Sequence, residues 1–199
     1  MHINSNISRD GPCVCLSANS ESADAAFTLM TDTVRKIIRN FGFGNGNIQY
    51  GVIVYGATVE VKVQLGDPSF KNIEDLREYI QKLPKQTSDP QIDKALQEAL
   101  KIFQGPNARP GAKQVLVVLT DKKSTSSEEV IKTSARLLEE RQIRVIPVGV
   151  GSETDPDELR SITPYKDDVI KANEEPWRLA REIIIKILTG TRDLCCPEG

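Results

Sequence analysis

The chain has one histidine, His2, and four cysteines among 199 residues. One histidine in a polar leading stretch leaves any serine or cysteine nucleophile without a base, which excludes Ser–His–Asp and Cys–His hydrolysis. No apolar run approaches the roughly 20 residues a helix needs to cross a bilayer. There is no G-x-x-x-x-G-K-S/T, and no G-x-G-x-x-G lies between the first strand and the first helix, so a nucleotide phosphate has no cradle. Gly42-Phe-Gly-Asn-Gly46 follows a helical pattern and reads as a helix stop. The formal charge is −2, with basic residues scattered among acids, and a nucleic-acid surface needs a concentrated basic excess. Neither cysteine pair has zinc-finger spacing. Met1 to Gly11 is polar, with no apolar signal region, and reads as a tail ahead of a mature fragment or of one module of a larger protein.

What is present is a run of buried strands. Val115-Leu-Val-Val-Leu-Thr-Asp121 is almost wholly apolar and ends in a carboxylate. Such a run reads as a strand buried on both faces, hence central in a parallel sheet, with its last residue where open α/β sheets place ligands. Ile143–Val150 is a second such run and Pro12–Leu16 a third. Ile48–Tyr55 is another strand. A short turn at Gly56-Ala57 leads into Thr58–Leu65, whose strict alternation marks an antiparallel edge strand. Helical spacing of apolar residues predicts helices over Asp24–Asn40, Asn72–Leu83, Ile92–Phe103 and Trp177–Leu188. Tyr79 and Leu188 fall on their inward faces. A helix capped by Ser126 or Ser127 runs to about Gln142, a short one begins at Asp155-Pro156, and Asp168–Lys171 is a short last strand. Strands alternating with helices give an α/β fold: a doubly wound, mostly parallel sheet with one antiparallel edge strand and helices on both faces. The expected organisation is a polar tail over 1–11, one domain over 12–190 and a carboxyl-terminal tail over 191–199.

The strand ends gather oxygen ligands. The loop after the first strand offers Ser17, Asn19, Ser20, Glu21 and Ser22, and the central strand offers Thr120 and Asp121. Hard cations such as Mg2+ or Ca2+ take this kind of donor. A serine-rich loop and a lone strand-end carboxylate therefore form the candidate site.

These features together resemble the von Willebrand factor A domain family. The carriers are Cys15-Leu16 with its serine-rich loop before Phe27, Tyr50-Gly-Val-Ile-Val-Tyr55, Ala95-Leu96 with Ala99-Leu100, Leu116–Asp121, and Val145–Gly151 followed by Glu158-Leu159. The resemblance covers Pro12 to Leu188. It implies a metal-ion-dependent adhesion site built from D-x-S-x-S after the first strand, a threonine in a second loop and an aspartate after the fourth strand. Here the D-S-S positions hold Ser17, Asn19 and Glu21 in one register, or Ala18, Ser20 and Ser22 in the other. The first aspartate is missing from both. Pro90 stands about where the threonine would be, and only Asp121 matches. Lys122 follows it where the family often has glycine, placing a cation that opposes a divalent ion by Coulomb repulsion. The resemblance thus implies a degenerate site and no bound metal. Without a metal, the buried Asp121 needs other donors or charge partners, for which Ser17, Ser20, Ser22, the amides at the start of the first helix and Lys122 are the candidates.

The function this implies is a non-enzymatic, extracellular module that binds a matrix or cell-surface protein, without nucleic acid or membrane insertion. Two alternatives stay open: a metal-dependent adhesion domain using Asp121 and the Ser17–Ser22 loop, and an intracellular nucleotide-binding or enzymatic α/β domain. Cysteines grouped near the termini and the sequon Asn6-Ile-Ser8 point to a secreted protein with glycan at Asn6. Adjacent Cys195 and Cys196 resemble the end of an A domain in von Willebrand factor itself, which implies a Cys195–Cys196 disulfide. The rival is a clamp from Cys13 to Cys195 or Cys196 at the bottom face, where the first strand starts and the last helix ends.

Overall fold

The computed structural model describes residues 9–17, 23–42, 48–86, 88–172 and 175–189. The strands among them are β1 (Arg9–Ser17), β2 (Gly51–Tyr55), β3 (Val59–Val63), β4 (Lys113–Lys122), β5 (Arg144–Glu153) and β6 (Ile170–Ala172). The helices are α1 (Ala23–Phe41), α2 (Ile73–Gln81), α3 (Ile92–Gln104), α4 (Glu128–Glu140), α5 (Pro156–Ser161) and α6 (Pro176–Thr189). The strands form one sheet in the order β3-β2-β1-β4-β5-β6. Every neighbouring pair is parallel except β2 and β3. The doubly wound sheet with one antiparallel edge is therefore the observed architecture.

Alternation along each strand divides the core into two layers. Val52, Val54, Val117, Leu119, Ile146 and Val148 meet α1, α2 and α6. Their neighbours Ile53, Tyr55, Leu116, Val118 and Val145 meet α3 and α4. β4 contributes to both layers, so it is apolar at nearly every position, as a two-sided strand must be. The amphipathic helices supply the covers: Met30, Val34, Ile37 and Ile38 of α1, and Leu179, Ala180, Ile183 and Ile187 of α6, are buried on one side.

Several element boundaries differ from the sequence reading, each for a local reason. β1 begins at Arg9, pairing with Lys113 ahead of a register shift, rather than at Pro12. β2 begins at Gly51, not Ile48, and Tyr50 just ahead of it turns its side chain to the end of α1. Its hydroxyl donates to the Gly42 carbonyl at 2.8 Å, where α1 ends in a left-handed glycine (φ +81°) whose own amide returns to Ile38. Burial pushes that hydroxyl well above the usual tyrosine range. Tyr79 is exposed rather than inward, set against Phe70 with ring centroids 5.2 Å apart, and Leu188 is also exposed. Asp168 belongs to a 3-10 turn (Lys166–Asp168) before the short β6. The outer strand β3 carries the ion pair Lys62–Glu60, and Gln86 also donates to Glu60 at 2.9 Å.

Asp168 is withdrawn from the last strand by Arg144. Arg144 Nε and Nη2 meet the two Asp168 carboxylate oxygens at 2.7 and 2.6 Å, and the guanidinium lies 5.5 Å from the Tyr165 ring centroid. Asp168 is almost wholly buried. This fork pins the segment before β6 to the start of β5. Asp168→Ala would leave the guanidinium without its partner and is expected to cost about 3 kcal/mol, the lower end for breaking a buried pair. Urea unfolding of the variant against the parent measures it.

Candidate functional site

The carboxyl ends of the parallel strands form an upper rim, and β4 reaches it through an irregularity. Thr120 is in register with Ser17 of β1 and Gly149 of β5, and pairing resumes only at Lys122 with Glu153. The surplus residues lie on β5, where 150–152 stand between the two pairs against Asp121 alone on β4. The Thr120 hydroxyl reaches past Asp121 and donates to the Lys122 carbonyl at 2.9 Å. Asp121 is buried there, with 1% of its surface exposed.

Lys122 turns toward the second loop, the segment between α2 and α3 that holds Ser88, Asp89 and Pro90. Its ammonium donates to Asp89 Oδ1 at 2.9 Å. That hydrogen bond and the Asp89 charge hold its pKa above the usual lysine value, with smaller help from Glu153 and Asp121. Lys122 thus reaches Asp121 through space, while its hydrogen bond goes to Asp89.

The second loop is tied at both flanks. The Ser88 hydroxyl accepts from the Ala57 amide at 2.8 Å, and the Gln91 amide donates to the Gly56 carbonyl at 3.1 Å. Gly56 has to be glycine here, since a Cβ would stand 2.6 Å from Ser88 Oγ and 3.0 Å from the Ser88 carbonyl oxygen. On the other flank, the buried Ser124 hydroxyl donates to the Pro90 carbonyl at 2.9 Å and accepts from the amides of Ile92 and Ser126, both at 3.1 Å. The Thr125 amide also donates to Pro90 at 3.0 Å. Ser126 gives its hydroxyl to Asp93 of α3. Ser127 occupies the N-cap of α4, one of the two positions the sequence offered, but makes no side-chain bond to the helix amides.

Beneath this lies Glu158. Both of its carboxylate oxygens accept the Ser124 amide, at 3.0 and 3.1 Å. α5 can come this close because Gly149 has no side chain; a Cβ there would be 2.8 Å from Leu159 Cδ1 and 2.9 Å from Thr154 Oγ1. Asp155 caps α5 through the amides of Asp157 and Glu158, as its place before Pro156 predicts, and is paired with Lys123 at 2.6 Å. Burial raises the Glu158 pKa; the Ser124 amide and the Lys123 charge oppose the shift, and Asp155 adds to it.

Of the residues singled out from sequence, the structure places Ser17 at the end of β1 beside Thr120, and Asp121 one residue beyond Thr120. Asn19, Ser20, Glu21 and Ser22, like Asn6, Cys195 and Cys196, lie outside the described residues. Cys13 and Cys15 are register positions within β1, Cys13 between Gly51 and Leu116. Among the described residues, the second loop offers a divalent cation few free oxygens. Pro90 has no side-chain oxygen, its carbonyl is already used, and Asp89 is taken by Lys122. Among the described residues no group of three or more His, Cys, Asp or Glu is placed to hold a metal ion. Ser124 was not foreseen: one serine among several in Ser124-Thr-Ser-Ser127 has no pattern that reveals a hydroxyl shared by three backbone groups. Glu158 was visible only as part of a family resemblance.

The family model for the von Willebrand factor type A domain matches residues 14–182. The chain belongs to this family. Its curated relatives include the collagen alpha-1(XXI) chain of Xenopus laevis, 32% identical over 136 residues, covering 68% of this chain and 14% of that one. The collagen alpha-4(VI) chain of Mus musculus is 25% identical over 194 residues, covering 96% of this chain and 8% of its own length. The von Willebrand A chain described here therefore spans only a small part of these relatives. Among solved structures, proximal thread matrix protein 1 of the mussel byssus has a TM-score of 0.76 at 21% identity, over 91% of this chain and 48% of that one. Manganese-loaded TRAP protein of Plasmodium vivax has 0.74 at 14%, over 88% and 72%. Those two likenesses establish the fold. The mussel protein also has a structure with zinc in its metal-ion-dependent adhesion motif.

The raised pKa of Glu158 has a signed consequence. The fold binds its proton more tightly than the unfolded chain does, so its contribution to stability is fullest below the ordinary value of 4.5 and is lost as pH rises through the folded pKa. The Glu158→Gln variant has no such proton to lose. The stability of the parent relative to Glu158→Gln is expected to fall as pH rises from about 4 to 7. Denaturant unfolding of both proteins across that range checks the sign.

Proposed function

We propose that this domain is a non-enzymatic, extracellular protein-binding or matrix-assembly module that works without a divalent cation. One observation carries the metal-independent part. The residue after the lone strand-end aspartate is a lysine whose ammonium is hydrogen-bonded to the second loop's Asp89. A fixed cation there opposes a divalent ion and closes the gap that such an ion would bridge. Kinship with collagen chains supports the matrix setting and a place within a larger protein. The absence of a histidine base and of a phosphate loop from the sequence supports a binding role over catalysis.

In this reading Asp121 is structural. Its burial at the end of β4 is the support, because a buried carboxylate is retained where partners satisfy it. Calorimetric titration with Mg2+, Ca2+ and Mn2+ is expected to give no saturable heat, while Asp121→Ala lowers the melting temperature. Millimolar or tighter binding that Asp121→Ala abolishes would overturn metal independence.

The termini complete the proposal. One module lies between short tails, its amino-terminal bound moved from residue 12 back to Arg9 by the start of β1, Asn6 carries glycan in secreted material, and Cys195 bonds to Cys196. The place of Cys13, in a central strand between Gly51 and Leu116, supports the adjacent pair over the clamp. Non-reducing peptide mapping is expected to find Cys195 and Cys196 in one peptide unlinked to that of Cys13. Joined peptides reject the assignment.

A further inference from the structure

We propose that Glu158 is a positioning residue for the second rim loop, acting through Ser124, and that this latch holds the loop in binding shape. The inference deepens the metal-independent reading above and rests on it for its functional meaning. Its geometry is independent of that reading.

Three features carry it. First, the Ser124 hydroxyl is saturated: it has one proton to give and two lone pairs to fill, and it donates to Pro90 while accepting from Ile92 and Ser126. One oxygen thereby fixes both the end of the second loop and the turn into α4. Secondly, the position of that oxygen is set from below. The Ser124 amide is shared between both oxygens of Glu158, so the backbone of Ser124 is gripped by α5. Thirdly, α5 is gripped in return. Lys123 pairs with its cap Asp155 at 2.6 Å, and the Lys123 amide donates to the Glu153 carbonyl at 3.0 Å. Consecutive residues 123 and 124 thus hold the capping residue and the first turn of the same helix, a two-point attachment that resists both sliding and rotation.

The second loop depends on this attachment. Pro90 has no amide hydrogen, and its carbonyl accepts from Ser124 and Thr125. The Ile92 amide, at the start of α3, ends on Ser124. Without the Ser124 hydroxyl the loop keeps the Lys122–Asp89 pair, the Thr125 amide on Pro90 and its ties to the β2–β3 turn at Gly56 and Ala57, but the Ile92 amide loses its acceptor. A partner that reads the second loop therefore reads a surface set by a helix beneath the rim.

Hydrogen exchange of the 199-residue protein in EDTA tests the latch. The proteins compared are the parent, Ser124→Ala, Glu158→Ala and Glu158→Gln. Ser124→Ala and Glu158→Ala are expected to speed exchange at 91–93 and 124–126 by about tenfold, the loss of one net hydrogen bond, while amides of β4 and β5 keep their protection. Glu158→Gln keeps a side-chain carbonyl oxygen for the Ser124 amide and is expected to restore most of the protection. Unchanged exchange at 91–93 in a folded Glu158→Ala overturns the latch, whatever Ser124→Ala does, because Ser124→Ala removes the Ile92 acceptor directly. If an alanine variant loosens the whole sheet, the decision passes to Glu158→Gln. Parent-like protection at 91–93 in that variant supports the latch, and exchange there as fast as in Glu158→Ala overturns it. A separate arm adds Mg2+ to the parent: slowed exchange at the rim overturns the metal-independent reading and leaves the variant comparison to judge the latch.

Discussion

Burial of β4 on both faces is the constraint from which the rest of the molecule follows. A strand with Leu116 and Val118 in one layer and Val117 and Leu119 in the other needs helices above and below it. Parallel neighbours are what permit such covers, because each crossover lays a helix on a face. The same parallel order brings the ends of β1, β2, β4 and β5 to one rim, so the polar loops meet there by topology. The rim is where the chain must satisfy many backbone groups at once.

The ties among the described rim residues are of two kinds, one ionic and one neutral. A divalent ion gathers loops by attracting several oxygens to one point. In this chain Lys122 joins the strand end to the second loop with a single charge, and Ser124 joins the second loop to the β4–α4 turn with neutral hydrogen bonds. Such ties are directional. They hold particular backbone groups in fixed positions.

The strands, most helices and the rim were legible because they depend on local pattern. The run Val115–Asp121 and the stripe of Met30, Val34, Ile37 and Ile38 declare their environment in a few residues. Asp155 before Pro156 announced a capped helix in the same way. Tyr50 and Tyr79 were misplaced because apolarity and spacing say nothing about a hydroxyl that closes another helix, or about an exposed ring that leans on Phe70. The direction of Lys122 and the joining of Ser124 to Glu158 are tertiary facts. The second pair lies 34 positions apart in sequence, and no local rule links them.

The two edges of the sheet have a bearing on how copies of the domain can coexist at high density. Exposed strand edges are templates for strand addition. Here one edge is β6, with three residues, and the other is β3, whose outward positions carry a paired Glu60 and Lys62. A short edge and a charged edge both discourage strand-to-strand growth. Domains of this kind can be crowded into one assembly without their sheets merging, and contact between neighbours is left to loops and helix faces, where side chains rather than backbone decide the match.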